Sequence, residues 1–513
     1  MSNQSLAFNR FGLGARSDDT APEEPRRWVL DQFERFEARP APIAAAPGRA
    51  QVAGQLADYL EETRRERGAV RRGEAQPASG QGRQRRRAQA PAEPAMQQNM
   101  QSGGMAEGND QLAGLPDSAR RFIRQTSRQN YLAMAQARTN AALNAPAPFV
   151  ERMVHFWANH FAVSADKLTV IGIAGLLEFE AVRPHVLGRF RDMLVAVEQH
   201  PAMLLYLDQA QSIGPGSEGA QLAQRFARFN PQAQQRRGLN ENLAREILEL
   251  HTLGVNSGYA QADVTEFARA LTGWTVSGLT RGPAARFLGA QGQPGDFAFA
   301  PRIHEPGSRN IVGRSYAQDG EAQGLAILDD LAADPRTARH LATKLARHFA
   351  GDDPPPQMVE RLTQAWLRSG GDLPTVYRAI VESPEAWSDA RPKFRSPWDW
   401  SVAALRAVGT RQIEPQPAAG LLTQLGQPIW RPGSPAGYDD IAPSWAGPDA
   451  LMRRVEAAER IASRTGGQID ARQLGPRVLP GALTPATAQA IARAESPGQG
   501  LALLLVSPEF LRR

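Results

Sequence analysis

Apolar residues recur every three to four positions along most of the chain. This spacing marks amphipathic helices over 119–143, 148–163, 170–182, 186–198, 240–253, 261–273, 321–332, 335–350, 356–369, 373–382, 396–408, 448–464, 484–494 and 497–505. Many of these stretches open on Asp, Ser, Asn or Pro and close near Gly. Those residues satisfy or tolerate the unpaired backbone groups at helix ends, so they punctuate helices in sequence. Alternating β-rich stretches are scarce, and 286–288, 297–300 and 310–312 are the plausible short strands. The pattern predicts a mainly α fold, a multi-helix globular body with a few short strands and long loops.

Two stretches break the periodicity. Residues 67–116 are rich in Arg, Gln, Ala, Gly and Pro and nearly free of branched aliphatics. Such a composition cannot offset the entropy of ordering a chain, and it predicts a disordered insertion. It divides an N-terminal helical segment, 1–66, which is expected to pack on the main body, from the body itself at 117–513. Residues 212–238 form a second Gly/Gln/Arg-rich stretch, expected to be a flexible loop. Its Gly214-Pro-Gly-Ser-Glu-Gly219 has the glycine spacing of a dinucleotide-binding turn, but no strand precedes it and a proline lies inside it, so it is read as coincidence.

The formal charge of +6 first suggests a polyanion-binding protein. Its distribution says otherwise. Nine arginines and four glutamates between 61 and 90 hold five of those charges, and the rest of the chain is almost neutral. The tract lacks interleaved aromatics, which makes nucleic-acid binding the weakest functional reading. Zero cysteines exclude disulfides, thiolate metal sites and thiol nucleophiles. No apolar run reaches the roughly 18 to 20 residues of a membrane span, and the start carries no readable signal peptide, so a cytoplasmic location is the default expectation.

Candidate chemistry lies on helical faces. Along 148–163, Glu151, Arg152 and Asn159 fall within about 60° of His155 and form one polar stripe, while His160 falls on the apolar side. His155 and Asn159 are ligand-binding candidates; His160 reads as a core histidine bonded to backbone. In 240–253, Asn242, Arg245, Glu246 and Glu249 share a face. That face has two readings: a solvated surface with an Arg245–Glu249 pair, or an acid–base or cation-binding site with Glu246 as base. A third stripe, Arg336, His340, Lys344 and Arg347, is either exposed or an anion site. Lys344 stands out because the chain uses 56 arginines and only three lysines. His304 and Glu305 sit in a loop, and a Pro/Gly-rich stretch from Leu425 to Tyr438 has the length of a lid. Walker A, Gly-x-Ser-x-Gly and His-Glu-x-x-His patterns do not occur.

The blocks Phe156-Trp-Ala-Asn-His-Phe161, Arg183-Pro-His-Val-Leu-Gly188, His200-Pro-Ala-Met-Leu-Leu-Tyr-Leu-Asp208, Asn240-Glu-Asn-Leu-Ala-Arg-Glu-Ile-Leu-Glu-Leu-His-Thr-Leu-Gly254 and Asp263-Val-Thr-Glu-Phe-Ala-Arg-Ala-Leu-Thr-Gly-Trp274 resemble the bacterial family called domain of unknown function 1800. The Gly-Gln-Pro at 426–428 and the closing Ser507-Pro-Glu-Phe-Leu-Arg-Arg513 are similar to it too. The resemblance runs from the Arg10-Phe-Gly turn to the C-terminus, leaving out 67–116 and 212–238. It carries no established catalytic residue, cofactor or metal. Ala158 stands where the family pattern commonly has a histidine, and Tyr438 where it often has tryptophan. The resemblance implies an exported alternative to the cytoplasmic default, and a neighbouring partner resembling phosphatases or sulfatases.

Two functional expectations follow. In the first, His155, Asn159, Asn242, Glu246 and Glu249 converge with His304 on one site for a small polar or anionic ligand, with or without a divalent metal. Glu246 and His304 would there be the catalytic pair of a hydrolase, Arg183 or Arg245 the anion clamp, and Lys344 a further ligand. In the second, the chain is a non-catalytic helical scaffold for the phosphatase- or sulfatase-like partner.

Overall fold

The computed structural model describes residues 2–71, 121–227, 238–279, 287, 289–290, 292–389 and 393–513. The fold is mainly α-helical. The helices that build the core and the site are α1 (Arg49–Arg71), α2 (Arg128–Asn144), α3 (Pro148–His160), α4 (Phe190–Glu198), α5 (Gln261–Leu271), α6 (Glu321–Ala333), α7 (Pro335–Ala350), α8 (Pro356–Ser369), α9 (Leu373–Glu382), α10 (Pro397–Ala407), α11 (Pro415–Gln424), α12 (Pro448–Arg464) and α13 (Pro497–Leu505). Four of them begin on a capping side chain followed by proline or leucine-proline. Asp334 accepts from the Arg336 amide at 2.8 Å, Asp372 from Thr375 at 3.0 Å, Ser396 from Asp399 at 3.2 Å and Ser496 from Gln499 at 3.1 Å. The cap satisfies an amide that the helix leaves unpaired, and proline supplies the helical φ where no N–H is needed.

Two antiparallel ribbons complete the regular structure: β1 (Trp274–Val276) with β2 (Phe297–Phe299), and β3 (Arg309–Ile311) with β4 (Arg314–Tyr316). The β3–β4 turn is Val312-Gly313, both at positive φ (51° and 77°), which matches the right-handed strand twist. The expected strand at 286–288 lies almost wholly outside the described residues.

The main apolar core gathers α2 to α9, with Trp157 and Tyr377 fully buried and joined by a 2.7 Å bond from the indole N–H to the phenol oxygen. A second core holds α10, α12 and α13 around Trp400, whose indole donates to the Leu505 carbonyl at 2.9 Å. The N-terminal residues are stitched to both. Gln32 accepts from the Phe149 amide at 2.7 Å at the start of α3 in the first, and the Asn9 amide donates to the Val478 carbonyl at 3.2 Å in the second.

Two boundaries need correction. Helix α1 runs through Arg71, so the insertion expected from 67 begins no earlier than 72, and the rest of it, 72–116, lies outside the described residues. The stretch expected as a loop at 212–238 contains a helix, Glu218–Ala227. Glycines at 214 and 216 make room for Glu305, whose carboxylate accepts from the Gly216 amide at 2.6 Å. Gly219 approaches Ile303 in the same way, so close packing against 302–305 is the use of the dinucleotide-like spacing.

Candidate functional site

Helices α3 and α7, the start of α10 and the loop 425–441 enclose a cleft of about 310 Å³. Helix α3 contributes His155, Phe156, Asn159 and His160; α7 contributes Lys344, Arg347 and His348. Trp398 and Asp399 come from α10, and Gln427, Trp430, Tyr438 and Asp440 from the loop. Lys344, Arg347 and His348 lie three and four residues apart, the spacing that puts side chains on one helical face.

At the base of the cleft the Lys344 amine donates to His160 Nδ1 at 2.9 Å. His160 is 1% exposed, and its Nε2 meets the His251 carbonyl at 3.2 Å. A carbonyl only accepts, so Nε2 carries the proton and Nδ1 presents a lone pair to the lysine. Burial, then the nearby Lys344 charge, holds the His160 imidazole well below its ordinary range. Burial also pulls Lys344 down to about 8, partly opposed by Asp440 and reinforced by Arg347.

Above it, His348 Nδ1 bonds Asp440 Oδ2 at 2.7 Å. Burial takes His348 down to about 4, Asp440 pulling the other way and Arg513 assisting. Burial raises the Asp440 carboxyl, but His348, Lys393 and Arg513 together outweigh it and hold it far below its usual range. Of the other cations lining the cleft, Arg152 pairs with Asp399 at 3.0 Å and Arg138 with Glu178 at 2.8 Å; behind them Arg513 shares Asp399 at 3.0 Å and Lys393 pairs with Asp352 at 2.8 Å. Lys344 and Arg347 are different. Neither has a carboxylate within 4 Å among the described residues, and Arg347 bonds only the Asp352 carbonyl, at 3.2 Å.

The loop is pinned by Asn159. Its amide donates to the Tyr438 carbonyl and accepts from the Tyr438 N–H, both at 2.8 Å. Gly437 is at φ +82° beside it, where a Cβ would fall 2.2 Å from the Asn159 carbonyl oxygen.

The expected site residues divide accordingly. His155, Asn159 and Lys344 line the cleft. His155 Nδ1 accepts from the Trp398 indole at 3.0 Å, which fixes its tautomer and turns Nε2 toward Glu151, 3.5 Å away. Arg183 lies behind that wall, 1% exposed, spent on Glu151 at 2.7 Å and on the backbone carbonyls of Glu37 and Ala38. Asn242, Arg245, Glu246 and Glu249 do not line the cleft. Arg245 bonds Glu241, Glu249 and Gln261 at the surface, while Asn242 is exposed. Glu246 is half-buried, and burial raises its carboxyl above the ordinary value. His304 also lies elsewhere, donating from Nδ1 to the Thr272 carbonyl at 2.8 Å. The 240–254 block reaches the site through backbone instead, by the His251 carbonyl on His160 and the Leu250 carbonyl on His340, at 3.3 Å.

Sequence reasoning passed over His348 and Asp440. The i, i+4 relation of His348 to Lys344 was the available signal for the first; nothing local marked the second, which depends on where a loop returns. Ala158 lines the cleft with a methyl group where the family resemblance places an imidazole. Among the described residues no cluster of three or more His, Cys, Asp or Glu is placed to hold a metal ion, and no helix is long and apolar enough to cross a membrane.

Fold and cleft together define a mainly helical protein with a polar interhelical pocket containing two cations that have no carboxylate within 4 Å among the described residues. The chain belongs to the family described as Protein of unknown function (DUF1800), whose profile matches residues 6–512. No curated protein and no solved structure matches it.

Proposed function

We propose that the protein binds a small anionic ligand in the cleft between α3 and α7, with Lys344 and Arg347 as its charge partners and the loop 425–441 as its cover. The observation that carries this reading is the pairing pattern: Arg138, Arg152, Lys393 and Arg513 around the cleft are each matched by a carboxylate, whereas these two cations face the cavity without one. Partly buried cations lacking a counter-charge are costly unless a ligand supplies it. The volume suits a small molecule, and Trp398, Tyr438 and Phe156 give the apolar wall that such pockets use alongside a few polar groups. The scaffold reading would draw support from a broad apolar face; the large exposed hydrophobics among the described residues are Val255 in a turn, Leu367 on α8 and Met452 on α12.

Calorimetry with phosphate, sulfate and lactate at low ionic strength tests the proposal, because screening weakens charge recognition. At least one of the three is expected to bind. Lys344→Met should weaken that binding about tenfold or more, as loss of a charge-assisted hydrogen bond worth roughly 1.5–3 kcal/mol requires. Absence of binding by all three, or binding that Lys344→Met leaves unchanged, overturns it.

A further inference from the structure

Among the described residues, Lys344 has no carboxylate within 4 Å, unlike the other two lysines of the chain. Lys167 is 2.7 Å from Asp208, and Lys393 is 2.8 Å from Asp352 and 3.3 Å from Asp440. The partner Lys344 does have, His160 Nδ1, is a pure acceptor, because the His160 Nε2 proton is committed to the His251 carbonyl. An amine held through one of its N–H bonds to a lone pair keeps its own lone pair free, and this one lies on the wall of a ligand-sized cleft. Arg347, one turn along the same face, offers a planar fork for a carboxylate.

From this juxtaposition we infer that Lys344 is a nucleophile toward the carbonyl carbon of a small oxo acid, forming an imine while Arg347 holds the acid's carboxylate. The inference rests on the anion-binding reading of the same cleft and adds the chemical class of ligand. The Nζ lone pair adds to the carbonyl carbon, and one Nζ proton passes to the former carbonyl oxygen. The resulting hydroxyl then leaves with the second Nζ proton as water, and the C=N bond forms. No electrons are gained or lost. Protonation of the imine restores an N–H that His160 Nδ1 can accept. An amine lowered to about 8 leaves roughly a tenth of the molecules unprotonated at pH 7, against fewer than about one in a thousand for an ordinary lysine.

The test uses the full-length protein, pyruvate as the carbonyl probe and lactate as its counterpart without a carbonyl. After equilibration with pyruvate, borohydride reduces any imine to a stable secondary amine, which peptide mass mapping locates among three lysines and the terminal amine. The expected result is a reduced pyruvyl adduct on Lys344, with the trapped fraction rising with pH around 8. Lys344→Arg is expected to lose trapping, whereas Lys167→Arg, outside the cleft and paired with Asp208, is expected to keep both lactate binding and trapping. Lactate binding without a pyruvate adduct on Lys344, or adducts spread over Lys167 and Lys393, defeats the imine while sparing anion binding. Failure of phosphate, sulfate and lactate all to bind the wild-type protein defeats the anion reading itself.

Discussion

Glu151 shows what a polar side chain on α3 is worth. It is 2% exposed and carries the charge that Arg183, 1% exposed, needs at 2.7 Å. Burial raises its carboxyl, but Arg183 and His155 outweigh this and keep it ionised. Glu151→Gln is therefore expected to cost about 3–5 kcal/mol in urea unfolding, because it strands a buried guanidinium. Arg245→Ala, at a partly exposed pair with Glu249, should cost less than about 1 kcal/mol. Equal costs would mean that α3 does not bury its charged stripe. The sequence placed Glu151, His155 and Asn159 on one face, since that follows from helical geometry alone. It could not show that Arg183 answers Glu151 and so is unavailable as an anion clamp, because that pairing depends on how two remote segments pack. The same limit applies to Glu246 and His304, whose local chemistry suits a site but whose helix and loop point them away from the cleft.

Among the elements, the cover of the cleft depends on one contact. Asn159 closes two hydrogen bonds on Tyr438, and Gly437 lets the loop approach to a distance no Cβ permits. Gly437→Ala and Asn159→Ala are each expected to release the loop and weaken anion binding about tenfold or more. The first also forces a side chain onto a positive-φ backbone. Unfolding should shift only modestly, since Tyr438 belongs to neither apolar core while Ile429 and Trp430 keep the start of the loop anchored, and a lost ligand with a retained melting transition is the result to look for. Unchanged affinity in both variants would remove the loop from the site. Helices with a cap, a proline and a wide apolar stripe were legible in the sequence, α7, α9, α10 and α13 among them. The ones missed have reasons. Helix α1 is rich in alanine and charge, so its stripe is faint; Pro201–Tyr206 is too short to show a period; α11 opens Pro-Gln-Pro, and Ala471–Val478 carries Pro476 inside it.

For the whole molecule, the cleft is one end of a charge network that joins both ends of the chain. Arg513 pairs with Asp399 at 3.0 Å, its backbone bonds that of Lys393, and Arg10 reaches its carbonyl at 3.3 Å. Asp399 and Asp440 also hold Arg152, His348 and Lys393. Folding thus buries histidines in a positively charged setting. His348 faces Asp440, Arg513 and Arg152; His340 faces Lys344, Arg347 and His251; His160 faces Lys344, His251 and His340. His340 and His348 fall to about 4 and His160 well below the ordinary 6.5, with burial the largest cause in each. Each folded-state value is lower than the unfolded one, so the unfolded chain takes up protons first as pH falls. The contribution of these histidines is complete above about pH 6.5. It should decline by about 1.4 kcal/mol per pH unit for each such histidine as pH drops toward 4, where His340 and His348 protonate in the folded state and their contribution levels off. The carboxylates act later. Asp399 and Asp440 are held below the ordinary 3.8 by their cationic partners, so their contribution is lost only as pH falls beneath that value. Urea unfolding from pH 8 to pH 4 should therefore weaken well before the carboxylates titrate, and His348→Gln should make that slope shallower by about one histidine's share. A flat profile down to pH 4.5 would show that these histidines are protonated or solvated in the folded protein, and would remove the acceptor at His160 on which the reactivity of Lys344 depends.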